Sequence, residues 1–361
     1  MKAAMRRGRS VSLLITAILA VAPACDNVSW GGADVAVVPP PPRSVAAPGE
    51  ASPLAEEELP EGPILYYVAR SGSGATMVPV GEITGDSMMT LRAQSDPRLF
   101  ADRFIAEQLR QGSEFVLFRD GVRVGTLVVQ SAAAPAGDAC TALPRATGSL
   151  ELSPQAAGTT EFLAVSQLHA PQVPRRIEPR LETTGNMRFV APILAERMLR
   201  SRAAQLPASW QRAMRQVKPF PVTTGQAPAF AATFLVGDTL GPGPPGPGSY
   251  SLFFLAVPSP AQVGWDTVFV DFHDYARQGK ASPRVIDFLD WDRDDNVELL
   301  LQVYGVAGSW FETVGRRTDA EWHRLMSDRC DPEGAAPDPA APGQTGTRIP
   351  VPSASPDTTT D

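Results

Sequence analysis

The sequence predicts a β-rich α+β fold: an α+β N-terminal unit, then a helical segment and a mainly antiparallel β meander. Asp120-Gly121 separates two apolar runs, and this dipeptide is typical of a β-hairpin turn because glycine readily takes positive φ. Short β-rich runs also follow one another from residue 250 to residue 314. At 43% hydrophobic and 20% charged residues, the composition is that of a globular protein and argues against a fibrous or wholly disordered chain.

The N-terminal unit is expected to span residues 63–155. Apolar runs predict strands over 64–68, 76–80 and 88–91, and the hairpin follows over 114–130. Between them, a helix is predicted from an N-cap at Ser95 to Gly112, because its apolar residues recur at helical spacing.

The second unit is expected to span residues 156–330. Helices are predicted over 186–205 and 209–217, ahead of a glycine- and proline-rich loop over 241–248. Strands are predicted over 250–257, 267–272, 284–289, 298–304 and 310–314. Residues 318–328 fit either a capped helix or the return strand of a hairpin turning at Asp319-Ala320, and we favour the hairpin.

Residues 1–24 are expected to be an export signal. They carry four cations and no acid, followed by an apolar run from residue 11 to residue 21 and the small residues Ala22-Pro23-Ala24. The run is shorter than the roughly 20 residues that a permanent membrane-spanning helix needs. Cleavage would lower the net charge from −7 to −11, which suits a soluble exported domain.

The segment Ala22-Pro23-Ala24-Cys25 resembles the lipobox of bacterial lipoproteins, with alanine where leucine is usual. The resemblance implies that Cys25 carries lipid and anchors the protein to a membrane. Cleavage without lipidation is the alternative. The chain has three cysteines, so lipidation would leave Cys140 and Cys330 as a possible disulfide pair in an oxidising compartment.

Two further segments are predicted to be disordered. Residues 25–62 are rich in proline, alanine and glycine, and residues 331–361 are rich in proline, alanine, serine and threonine. We interpret the first as a tether between the anchor and the folded part, and the second as a tail.

The strongest candidate site is the acidic loop over residues 290–298. Asp290, Asp292, Asp294 and Glu298 occupy positions 1, 3, 5 and 9 of this loop. Calcium takes about six to eight oxygen ligands, and such spacing lets several carboxylates converge on one cation. The pattern is not that of an EF-hand, because position 12 is Leu301 and position 6, where glycine is required, is Asp295.

The loop resembles the calcium loop of integrin-type FG-GAP and VCBS repeats, which read Asp-x-Asp-x-Asp-Gly-x-x-Asp/Glu before an apolar strand. That resemblance implies a calcium site with Asp290, Asp292, Asp294 and Glu298 as ligands and the Asn296 carbonyl as a fifth. If calcium binds, we expect a structural role for it, because the ion would cross-link the hairpin by neutralising its charge. The alternative is a solvated acidic turn between two strands.

A basic segment lies between Arg175 and Lys218, with a net charge of +7 against −18 for the rest of the mature chain. It could meet lipid headgroups, lipopolysaccharide or an acidic partner. We favour solvated helix faces, with some arginines paired inside the fold, such as Arg200 with Glu196. Aromatic residues are not interleaved with the arginines, so nucleic acid is not an expected partner.

Catalytic motifs are weak. The three histidines, His169, His273 and His323, lack the spacing of a metal-binding motif. We therefore expect a non-enzymatic envelope protein with a binding or structural role and an unidentified partner. The alternative is an envelope hydrolase, which would require a cleft that gathers His273 or His323 with a serine and a carboxylate.

Overall fold

The computed structural model describes residues 59–93, 96–134, 143–170, 181–222, 228–260 and 264–329. These residues all belong to one compact unit that begins at Pro53. The predicted signal, the tail, most of the tether and the three cysteines, Cys25, Cys140 and Cys330, lie outside the described residues. Within the described residues, no helix combines the length and the apolarity needed to span a bilayer.

The N-terminal part is a closed antiparallel barrel with strand order β1-β7-β4-β5-β6-β2 and closure of β2 onto β1. Its strands are β1 (Ile64–Ser71), β2 (Gly74–Thr84), β4 (Glu114–Arg119), β5 (Val122–Ala133), β6 (Arg145–Leu152) and β7 (Glu161–Ser166). The short β3 (Ser87–Thr90) pairs with β2. The barrel therefore takes one strand, β7, from beyond residue 155, where the sequence places the start of the second unit.

The barrel core follows the alternation of its strands. Tyr66 and Val68 of β1 belong to the same buried cluster as Leu117 of β4 and Phe162 of β7. Helix α1 (Pro97–Gln108) packs Phe100 and Phe104 against this cluster. Its N-cap is Asp96, whose side chain accepts the backbone N–H of Arg98 and Leu99, one residue after the predicted cap.

The second part consists of two four-stranded antiparallel sheets. The first meander has the order β11-β10-β9-β8, and the second has the order β12-β13-β14-β15. Their strands are β8 (Met214–Phe220), β9 (Ala229–Val236), β10 (Tyr250–Pro258), β11 (Trp265–Asp274), β12 (Ser282–Leu289), β13 (Glu298–Tyr304), β14 (Ser309–Arg316) and β15 (Trp322–Ser327). The expected β-rich architecture with antiparallel sheets is confirmed.

The second meander lies between the barrel and the first meander. On β13, Leu299 and Leu301 pack in a cluster with Phe253 of the first meander. Leu300, which points to the opposite face, packs in a cluster with Phe118 of the barrel. Both faces of the second meander are therefore buried.

Helix α2 (Gly185–Ser201) covers the other face of the first meander. Its residues Met187, Leu194 and Met198 pack in one cluster with Phe230 and Phe254. The short helices α3 (Trp210–Ala213) and α4 (Tyr275–Gln278) lie beside the strands of the same sheet.

Two local predictions had opposite outcomes. The predicted helix over 209–217 is wrong beyond Ala213, because the chain enters β8 at Met214 and pairs with β9. The hairpin favoured near Asp319-Ala320 is confirmed, since Ala320 has φ of 64° and Arg316 pairs with Trp322.

One buried carboxylate joins all three sheets. The carboxylate of Asp287 on β12 is 0% exposed and accepts the backbone N–H of Asp120 at 3.0 and 3.1 Å. It also accepts a hydrogen bond from Lys218 Nζ of β8 at 3.0 Å, and Arg119 Nε lies 3.8 Å away. Burial raises the pKa of Asp287, and the charges of Lys218 and Arg119 oppose that shift. We call these four residues the Asp287 junction.

Replacing Asp287 by alanine should destabilise the whole fold, because Lys218 and Arg119 would lose the buried carboxylate between them. Only the partly exposed Asp120, whose Oδ1 lies 3.3 Å from Lys218 Nζ and 3.7 Å from Arg119 Nε, would then oppose their charges. We expect the free energy of unfolding in denaturant to fall by about 3–5 kcal/mol. The exposed carboxylate of Asp102 on α1 offers the control, and Asp102→Ala should change that energy by less than about 0.5 kcal/mol. Equal effects of the two variants would contradict a central role for the junction.

Candidate metal site

The acidic loop connects β12 to β13, whose last and first residues, Leu289 and Glu298, are paired across the hairpin. Carboxylate oxygens of Asp290, Asp292 and Asp294 lie within 4.8 Å of one another. The structure therefore brings together three of the predicted ligands in one loop.

Hydrogen bonds inside the loop set its path. Asp290 Oδ1 accepts the backbone N–H of Arg293 at 2.7 Å and of Asp294 at 3.2 Å. Arg293 and Asp295 adopt left-handed φ values of 69° and 67°. Asp295 thus takes the conformation that a glycine would provide at this position, at a cost of roughly 1–2 kcal/mol. The loop makes the turn of the resembled motif without its glycine.

Glu298, the first residue of β13, is 1% exposed and is not among the three clustered carboxylates. Its Oε2 accepts the backbone N–H of Trp291 at 3.1 Å. Its Oε1 is buried and has no hydrogen-bond partner among the described residues. An ionised carboxylate cannot stay buried in this way without a compensating charge or a proton. The unpaired oxygen is an observation independent of the aspartate cluster, and it marks a position where a bound cation would compensate a buried carboxylate.

The four carboxylates interact electrostatically. Burial raises the pKa of Glu298 to about 9, and the negative charges of Asp292, Asp290 and Asp294 contribute to this shift. Burial and the charges of Asp294 and Asp290 raise the pKa of Asp292 to about 6. Burial also raises the pKa of Asp290. A divalent cation among these groups would remove both the repulsion and the unpaired charge.

Two features of the neighbouring strand complete the site. A Cβ atom at Gly315 of β14 would lie 2.8 Å from Glu298 Cγ, so glycine provides the space that the glutamate occupies. Arg316 Nη1 donates to Asn296 Oδ1 at 3.1 Å, and Asn296 Nδ2 donates to Asp294 Oδ2 at 2.7 Å. The Asn296 side chain is therefore engaged, and any oxygen it gives to a cation comes from its main-chain carbonyl.

A second acidic group provides a contrast. Asp319, Glu321 and His323 also bring ligand atoms within 4.8 Å of one another. His323 Nε2 lies 2.9 Å from Asp319 Oδ2, and the two carboxylate residues are exposed. Because the two carboxylates are exposed and solvent screens their charges, the second group does not require a cation.

The histidines of the alternative hydrolase are engaged differently. His273 Nε2 lies 3.0 Å from Asp271 Oδ1, and Arg324 Nη2 donates to Asp271 Oδ2 at 2.8 Å. In the described part of the chain, neither His273 nor His323 is hydrogen-bonded to a serine hydroxyl. His169 Nδ1 lies 3.4 Å from Ser166 Oγ in an exposed turn.

The chain matches no family model, no curated protein and no solved structure. The likeness of the acidic loop to FG-GAP and VCBS repeats therefore concerns this loop alone. A metal site is supported by the three clustered aspartate carboxylates and by the buried carboxylate of Glu298.

Glu298→Gln should change the stability of the cation-free protein and of the calcium-bound protein differently. In chelator, Glu298 keeps its proton in the folded state up to a pKa of about 9, whereas in the unfolded state it ionises at its ordinary pKa of 4.5. Stability therefore falls as pH rises between these values, and glutamine removes this loss. We expect the variant to gain about 1–3 kcal/mol of unfolding free energy in chelator at pH 8. With calcium present it should lose that advantage, because an anionic ligand is gone. An unchanged ranking of the two proteins, measured by denaturant unfolding with and without calcium, would contradict the assignment.

Proposed function

We propose that the chain is an exported, lipid-anchored envelope protein whose fold is stabilised by one calcium ion in the loop 290–298, and that its role is binding or structural. The observation that carries the calcium site is the buried Oε1 of Glu298, which is unpaired among the described residues and belongs to a carboxylate that feels the negative charges of the three aspartates. The anchor is supported by the basic and apolar N-terminus and by the lipobox-like residues before Cys25.

Calcium suits the ligand set better than other common ions. All the candidate ligands are oxygens, whereas zinc and copper sites are usually built on nitrogen and sulfur donors. Magnesium favours a small octahedral shell that keeps several waters. Four carboxylates on a flexible nine-residue loop offer the larger, anionic shell that calcium takes.

A cation here would stabilise the contact between the second meander and the barrel. Trp291 of the loop is buried in the cluster that contains Phe118 and Leu163 of the barrel. Arg293 Nη2 lies 3.3 Å from the carbonyl oxygen of Ala170 and 3.4 Å from that of His169, just after β7. Holding the loop in one conformation therefore holds both contacts.

A structural role also agrees with the ion pairs that charged residues outside the loop form between strands. Asp271, which faces His273, is bonded to Arg324, and Arg324 Nε lies 2.9 Å from Glu312 Oε2. These groups join β11 to β14 and β15, so they hold the two meanders together. They support a role in packing over a role in catalysis.

Thermal unfolding of the protein in calcium and in chelator tests the site. We expect calcium to raise the melting temperature by roughly 3–10 °C, the shift that a site near saturation gives in a domain of this size. Asp292→Asn should abolish the rise, because Asp292 is one of the clustered carboxylates.

Asp319→Asn, which alters the exposed acidic group, is the matched control and should leave the rise intact. If both variants respond to calcium as the parent does, or if the parent does not respond, the calcium proposal fails.

A further inference from the structure

Helix α2 carries a second apolar strip on the side that faces away from the first meander. Phe189 is 71% exposed and Ile193 is 47% exposed, and the two are one helical turn apart. The buried side of the helix is a different set of residues, centred on Met187, Leu194 and Met198. An exposed phenylalanine beside an exposed isoleucine is not needed to hold the helix on the sheet, and such pairs mark interaction surfaces.

Cations flank this strip. Arg188 adjoins Phe189, and Arg197 lies one turn beyond Ile193 on the same side of the helix. Both arginines are exposed, and neither forms an ion pair with another described residue. Arg200 lies 2.6 Å from Glu196 on the helix surface. We call Arg188, Phe189, Ile193 and Arg197 the outer face of α2.

Other members of the basic segment serve the fold. Lys218 belongs to the Asp287 junction, and Arg215 Nη2 donates to the carbonyl oxygen of Asp238 at 2.9 Å. Arg202 Nη1 donates to the carbonyl oxygen of Met198 at 3.1 Å. Lys218, Arg215 and Arg202 thus bond to other parts of the fold, whereas the exposed Arg188 and Arg197 lie beside the apolar strip.

We infer that the outer face of α2 docks onto an anionic phospholipid bilayer. An aromatic and a branched apolar side chain can enter the boundary between headgroups and acyl chains while the arginines meet phosphates. Each cation near an anionic surface adds to this attraction. The mature chain has a net charge of −11, so the attraction would orient the protein with this basic, apolar face toward the lipid.

A second copy of the chain fits this face less well. A stable protein interface needs about 800 Å² on each partner, which two exposed apolar side chains do not supply. A symmetric contact would also bring the arginines of the two copies together. The bilayer needs no such area, because it accepts individual side chains.

Vesicle co-sedimentation of residues 25–361 with Cys25→Ser tests the inference, since this chain lacks both the apolar leader and the lipid. It keeps the whole compact unit that begins at Pro53. The probe is a vesicle of phosphatidylcholine with phosphatidylglycerol, compared with phosphatidylcholine alone. We expect binding to the anionic vesicles that weakens with salt.

Phe189→Ser with Ile193→Ser should lower the apparent affinity by roughly tenfold or more, as loss of two buried apolar side chains implies. Arg197→Glu, which keeps the apolar pair, should also weaken binding. Val306→Ser is the matched control, because Val306 is 52% exposed in the turn between β13 and β14.

Absence of binding by the parent, or equal binding by all variants, would overturn the inference. So would concentration-dependent self-association that the Phe189 and Ile193 changes abolish, because a second copy would then occupy the face.

Discussion

The buried carboxylate of Asp287 constrains how the three sheets meet. The carboxylate accepts hydrogen bonds from Lys218 of the first meander and from the backbone N–H of Asp120 of the barrel. These hydrogen bonds replace the water that the buried carboxylate has lost, so its stability depends on all three sheets. The barrel turn must come close to do this, and a Cβ atom at Gly121 would lie 3.1 Å from Phe288. Because β12 carries Asp287 and ends at Leu289, the same strand that is fixed by the junction presents Asp290 at the start of the acidic loop.

Local chemistry predicted the hairpins, whereas pairing distant in sequence determined the rest of the fold. The Asp120-Gly121 turn has the positive φ values of 50° and 74° that its sequence demands. Strand β9 (Ala229–Val236) is buried almost throughout, so it shows no alternation of apolar and polar residues and was not predicted. Its pairing with β8 also explains the failed helix over 209–217. Closure of the barrel depends on β7 joining β1 and β4, which no local pattern indicates.

The candidate site was predictable in its ligands and not in its environment. Alternating carboxylates mark Asp290, Asp292 and Asp294 in the sequence, and the structure places them together. The burial of Glu298 depends on Gly315, a residue on a strand reached only after another turn. Likewise, the sequence offered no signal that Arg316 would engage the Asn296 side chain. Neighbours on adjacent strands decide whether the carboxylates of an acidic turn are solvated or are buried without a compensating charge. The spacing of residues in the sequence does not specify these neighbours.

Trp291 offers the most direct measurement of whether a cation occupies the loop, because its indole lies in the same hairpin as the four carboxylates and its backbone N–H donates to Glu298. Terbium replaces calcium at oxygen-rich sites, and excited tryptophan sensitises its luminescence when the two are close. We expect terbium emission on tryptophan excitation, displaced by calcium and largely lost in Trp291→Phe. Emission that survives Trp291→Phe undiminished, or that never develops, would contradict a calcium site in the loop 290–298.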